Sequence, residues 1–95
     1  MAVTIMIPTA LRQYAGGNAS VTLEADTVGA LLRGLAEQHQ ALGKQLFGDD
    51  GKLRSFVNVY IGDEDIRYLQ GEATPLKDGD TVSIIPAIAG GKRES

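Results

Sequence analysis

Cysteine is missing from this chain of 95 residues, which excludes disulfides, thiolate metal sites and a cysteine nucleophile. Histidine occurs once, at His39, too little for a histidine-based metal site or a catalytic triad. The formal net charge is -3, and there is no basic cluster to supply the phosphate attraction on which nucleic-acid binding rests. An acidic balance fits solubility, or a basic partner surface. No apolar run approaches the roughly 20 residues of a membrane span. The opening stretch MAVTIMI has neither a basic lead nor a small-residue cleavage site, so it reads as a strand rather than a signal peptide. No glycine-rich nucleotide loop opens a helix, and no nucleophile stands beside a base. These absences remove most enzyme classes. The expectation they leave is a protein with the cytosol as its default location, serving as a substrate of enzymes rather than as one, with no bound cofactor and no nucleic-acid or membrane partner.

The length suits one domain with a single modest core, and 43% hydrophobic with 22% charged residues is an ordinary globular composition. Ala2 to Ile7 alternates, with Val3, Ile5 and Ile7 on one side and Thr4 and Met6 on the other; Pro8 ends it. Leu11 to Asn18, with Gly16-Gly17-Asn18, reads as a loop. Ser20 to Glu24 alternates again and forms the second arm of a hairpin. Asp26-Thr27 then offers helix N-cap oxygens. Val28, Leu31, Leu32 and Leu35 follow at i, i+3, i+4 and i+7, the stripe of an amphipathic helix that ends near His39 to Gly43. Gly29 and Gly34 weaken that helix by about 1 kcal/mol each relative to alanine, and close approach to a sheet is one reason to tolerate them.

Leu46-Phe47 reads as an apolar anchor within irregular chain, closed by the turn signal Gly48-Asp49-Asp50-Gly51. Phe56 to Ile61 is the clearest strand, with Val57, Val59 and Ile61 inward and Phe56, Asn58 and Tyr60 outward. Gly62-Asp63 turns the chain into a short edge strand over Glu64 to Arg67. Pro75 to Asp80 is dense in turn residues, and Thr81 to Ile85 is the last strand, stopped by Pro86. One helix covers only one face of a sheet, so this is an α+β fold. A mixed sheet of four to five strands packed on one main helix, first and last strands adjacent at its centre, is the β-grasp or ubiquitin-like plan.

The chain closes on IIPAIAGGKRES. A diglycine alone is as easily a frayed terminus, but Gly90-Gly91 follows Leu76-Lys77-Asp78-Gly79-Asp80 and Ile84-Ile85-Pro86. With the Val57-Asn58 strand, these residues resemble the MoaD/ThiS family of ubiquitin-like sulfur carriers. The resemblance covers about the whole chain. Asp63-Glu64-Asp65 and Pro86 to Gly91 are most similar to the carriers of actinobacterial cysteine synthesis. Members commonly end at the second glycine, whereas Lys92-Arg93-Glu94-Ser95 follow here. The resemblance therefore implies a precursor: a domain over 1–86, a flexible diglycine tail over 87–91, and an extension over 92–95. A zinc metalloprotease of the deubiquitinase-like type would remove the extension between Gly91 and Lys92.

The chemistry accounts for each part. A carboxylate is a poor acyl electrophile; joined to AMP from ATP, with loss of pyrophosphate, it becomes a mixed anhydride. A sulfur nucleophile then displaces AMP and leaves a thiocarboxylate on Gly91, so the carrier needs no cysteine. Glycine lets the end of the chain enter a narrow site, and Ala87 to Gly91 spans about 17 Å when extended. While Lys92 is attached, the Gly91 carbonyl is an amide and cannot be adenylated. Ala89, Gly90 and Gly91 form the working tail. The partners implied are an adenylating and sulfur-transferring enzyme that uses ATP, the protease, and an acceptor such as a cysteine synthase. Phe56, Tyr60 and Ile88 would dock a partner if the aromatic pair is exposed; otherwise one of them closes the core edge.

Other acidic residues read as structural. Asp78 and Asp80 flank Gly79 as turn formers, and Asp63-Glu64-Asp65 reads as a solvated turn lacking the further ligands of a calcium loop. His39 reads as a helix-end residue. Alternative functions are the small subunit of molybdopterin synthase, a thiazole sulfur carrier, a modifier conjugated through Gly91, and a non-covalent β-grasp binding module.

Overall fold

The structure, a computed structural model, describes residues 2–86. Strand β1 (Ala2–Met6) pairs antiparallel with β2 (Ser20–Glu24) in the register Val3 to Leu23 and Ile5 to Val21. The link between them, expected as loop, contains a 3-10 helix over Thr9–Ala15. It follows Pro8, whose missing N–H suits the start of a helix, and it ends on Gly16 at φ 66, a left-handed turn natural to glycine. Ala15 is buried there, and Leu11 and Tyr14 pack against the core, which is why these residues coil instead of running free.

Helix α1 (Val28–Gln38) starts on Thr27, whose hydroxyl oxygen accepts from the Ala30 N–H at 3.2 Å and so satisfies one of the orphan donors of the first turn. Val28, Leu31, Leu32 and Leu35 are all fully buried against the sheet. The chain does not become irregular after His39. His39 breaks α1 and the chain continues as α2 (Gln40–Leu46), with Leu42 and Leu46 in the core. Gly43 permits the α1–α2 contact: a Cβ there would lie 2.7 Å from the Ala36 Cβ. The expected glycine approach to the sheet is found only loosely at Gly34, where Leu23 Cδ1 would sit 3.9 Å from an added Cβ. The tight approach is at Gly29, and its neighbour is Glu72, at 3.1 Å to both Cβ and the carbonyl oxygen. Residues 71–76 are strapped across the start of α1 by Val28 N–H to Thr74 O (3.1 Å) and Leu76 N–H to Asp26 O (2.8 Å).

Strand β3 (Val57–Ile61) turns through Gly62, at φ 59, into β4 (Glu64–Asp65). Only two residues of β4 pair; the expected edge strand to Arg67 gives way to a 3-10 turn over Ile66–Tyr68. Strand β5 (Thr81–Pro86) is the last described element. Pro86, expected just beyond the strand, is its last residue, opposite Val57. That position is open to proline because the Val57 N–H turns the other way, to Arg54 O at 3.0 Å. The sheet order is β2-β1-β5-β3-β4, with β1 and β5 parallel at the centre and the other pairs antiparallel. Asp78 and Asp80 are turn formers as expected: Asp80 Oδ2 accepts from the Lys77 N–H at 2.8 Å, and Asp78 Oδ1 from the Ala2 N–H at 2.9 Å.

Candidate functional site

The expected working residues Ile88, Ala89, Gly90, Gly91 and Lys92 lie outside the described residues, so the site is built from what holds and surrounds the end of β5. That strand is paired on both sides, to β1 through Thr81–Ser83 and to β3 through Val82–Pro86. Whatever follows Pro86 therefore leaves from a strand gripped by two neighbours.

Val82 and Ile84 point into the core, so Ser83 and Ile85 point to the face away from the helices. The cross-strand registers put Met6 beside Ser83, Ser83 beside Tyr60, and Ile85 beside Asn58 on that face. Met6 is 39% exposed and Ile85 47%. Phe56, in the turn leading into β3 and not in the strand itself, is 46% exposed; Tyr60 is half-buried on the outer face. Neither aromatic ring belongs to the core cluster. The result is an apolar surface around the end of β5, to which Met6 and Ile85 belong. Both were legible as off-phase apolar residues in alternating strands, though neither had been singled out.

The edge of this surface is polar, and here the expected solvated turn is corrected. Asp65 is only 6% exposed. Its Oδ1 accepts from the Arg67 N–H at 2.9 Å, and Arg67 Nε reaches Oδ1 and Oδ2 at 3.2 Å each, with Nη2 to Oδ2 at 2.7 Å. The same Nη2 donates to Asn58 Oδ1 at 2.6 Å, spanning β4 and the outer face of β3. The Arg67 guanidinium and backbone N–H hold the Asp65 carboxyl below the usual carboxylate range, against the opposing effect of burial. Beside the pair is a cavity of ≈ 350 Å³ with Leu53, Val57, Val59 and Ile66 in its wall and Arg67 and Glu72 among its polar lining. Nothing in the sequence pattern flagged Arg67, because an Asp-x-Arg pair closes only when the chain bends, as it does after β4.

Among the described residues no group of three or more metal-ligating side chains comes together, and no helix is long and apolar enough to cross a membrane. Among the described residues the site is a strand end held by β3, with exposed apolar residues beside it on the outer face of the sheet.

A helix layer on one face of a five-stranded mixed sheet, with parallel first and last strands at its centre, defines a ubiquitin-like β-grasp domain. Comparison with known proteins carries this further. The ThiS family model matches residues 5–91, and the chain belongs to that family. The sulfur carrier protein CysO of Mycobacterium tuberculosis is 45% identical over 93 residues, covering 96% of this chain and all of the relative. A chain in the crystal structure of the Amycolatopsis orientalis BexX/CysO complex superposes with a TM-score of 0.85 at 42% identity, over 95% of this chain and 100% of that one. Small archaeal modifier protein 1 of Haloferax volcanii superposes with a TM-score of 0.83 at 29% identity, over 96% and 100%.

Proposed function

We propose that this protein is a sulfur carrier whose Gly91 becomes the acyl donor, most naturally for cysteine synthesis. The observation that carries the reading is that the family match runs through Gly91 and stops there, with full-length similarity to CysO. Residues 1–86 are the folded body, 87–91 the tail, and 92–95 an extension removed by a zinc metalloprotease between Gly91 and Lys92. An adenylating enzyme then joins the freed carboxylate to AMP with release of pyrophosphate. A hydrosulfide nucleophile displaces AMP and leaves the thiocarboxylate. An acceptor enzyme such as a cysteine synthase takes the sulfur. ATP is consumed by the adenylating partner, the carrier is its co-substrate and binds no cofactor, and the setting is the cytosol. The likeness to a chain of a BexX/CysO complex supports work through partners. Phe56, Tyr60 and Ile88 belong to the surface the adenylating partner would cover.

The test is the intact mass of the full chain after incubation with an extract of its host, ATP and a sulfide source. Loss of the last four residues with an oxygen-to-sulfur exchange is the expected result. An unchanged mass, in an extract shown active on another carrier, overturns the reading. Likeness to the archaeal modifiers favours one second reading, conjugation through Gly91 to lysines. That outcome would appear as adducts that resist thiols.

A further inference from the structure

Two Asp-Gly steps occur in the chain, Asp50-Gly51 and Asp78-Gly79. Such a step is open to attack by its own backbone, because the glycine nitrogen can approach the preceding carboxyl carbon with no Cβ in the way. Nothing stands within 4 Å of where a Cβ would lie on either glycine, and Asp50 and Asp78 are both exposed. What separates the two steps is what must let go before a ring can close.

Asp50 lies at the tip of a small hairpin. Phe47 bridges to Leu53, the Gly48 N–H donates to Lys52 O at 2.8 Å, and Asp49, Asp50 and Gly51 form the loop between them. Gly51 sits at φ 79, the left-handed residue of a three-residue hairpin turn. Its N–H donates to Gly48 O at 3.0 Å. Asp50 Oδ1 accepts from the Lys52 N–H at 3.0 Å, which holds the carboxyl forward, on the Gly51 side. All of these bonds are local to residues 48–52, so fraying of the tip is enough to free the step. Asp78-Gly79 is instead tied to the centre of the sheet. The Gly79 N–H donates to Ala2 O at 2.9 Å, and Asp78 Oδ1 accepts from the Ala2 N–H at 2.9 Å. Beside them Asp80 O accepts from the Thr4 N–H at 3.0 Å. Bringing the Asp78 carboxyl carbon onto the Gly79 nitrogen means detaching the start of β1 from the turn before β5.

We propose that Asp50-Gly51 is a site of spontaneous isoaspartate formation, and that the fold shields Asp78-Gly79 from the same reaction. The Gly51 nitrogen attacks Asp50 Cγ. The nitrogen's proton, one carboxylate oxygen and a proton from solvent leave as water, and a cyclic imide remains. Water then opens the imide. Addition at Cγ restores aspartate. Addition at the main-chain carbonyl breaks the original Asp50-Gly51 bond, leaves the chain running through Cγ and frees an α-carboxylate. The product carries one more methylene in the main chain at the hairpin tip. Its new α-carboxylate is the group that an isoaspartyl methyltransferase esterifies, so aged molecules of this protein become substrates for a repair enzyme of that class. The reaction is independent of Gly91.

The experiment ages the full chain, folded and at neutral pH, and counts isoaspartate as methyl groups transferred from S-adenosylmethionine by an isoaspartyl methyltransferase. Trypsin separates the two steps, one into peptide 45–52 and the other into peptide 78–92. Methylation of 45–52 should exceed that of 78–92 by about tenfold, the scale on which one hydrogen bond changes an opening equilibrium. In urea, where neither step is held, the ratio should fall to about one. Asp50→Glu should abolish the signal in 45–52, since glutamate must close a larger ring, whereas Asp78→Glu should leave it intact. Equal yields from the folded chain, or an excess in 78–92, overturn the proposal. So does a 45–52 signal that survives Asp50→Glu, which would place the reaction at Asp49, and so does the absence of isoaspartate from both peptides.

Discussion

Asp65 carries a charge that the rest of the molecule keeps almost out of water, and its partner decides what acid does to the protein. With the folded-state pKa below the unfolded value of about 3.9, the ionised carboxylate stabilises the fold. That contribution is fully present above the unfolded value and is lost as pH falls through the folded one. Asp65→Asn should therefore lower the thermal midpoint at neutral pH, and the gap from wild type should close as pH falls below about 4 toward the folded pKa. A gap that persists unchanged down to that range would mean the carboxylate charge is not what Arg67 holds. Arg67 was invisible as a partner in the sequence, where Asp63-Glu64-Asp65 looked like three equivalent acids. Only the bend after β4 singles out the third.

Elements were legible where their signal was periodic and local. Four of the strands and α1 follow from alternation and from one helical stripe, β4 only from the turn before it, and Thr27 caps the helix as its side chain predicts. Thr27→Ala should cost about 1 kcal/mol in urea unfolding, with Thr27→Ser close to neutral; equal losses for both would assign the effect to packing. Helix α2 was missed because His39 interrupts the pattern and Gly43 reads as a breaker. The repeat that remained, Leu42 and Leu46 four apart, is short. The glycine is there for contact with Ala36, so Gly43→Ala should destabilise even though alanine is the better helix former by about 1 kcal/mol. Overpacking costs about 1–3 kcal/mol, and a stabilised variant in the same unfolding measurement would show that α2 shifts freely on α1. The 3-10 helix over Thr9–Ala15 escaped for a different reason: its burial comes from tertiary contact, not from a repeat.

Across the whole molecule, the strand order places long-range pairing at the centre and the least-paired strand at an edge. Amide exchange should be slowest at β5, near the rate of global unfolding, and fastest in β4 among the strands. Uniform protection across the sheet would contradict this ranking. The outer-face apolar surface was partly readable, through Phe56 and Tyr60, whereas Met6 and Ile85 join it only once register is known. The central position of β5 has a mechanical meaning as well. Force applied through the C-terminal end runs along a strand bonded to β1 on one flank and β3 on the other. Pulled along its own axis, the strand loads the β3 row first, over Ile84 to Pro86, and both rows together only from Ser83 inward. An enzyme that seizes the end of this protein can draw it taut without drawing the domain apart, so a machine that unfolds its clients by pulling would find here a poor place to start.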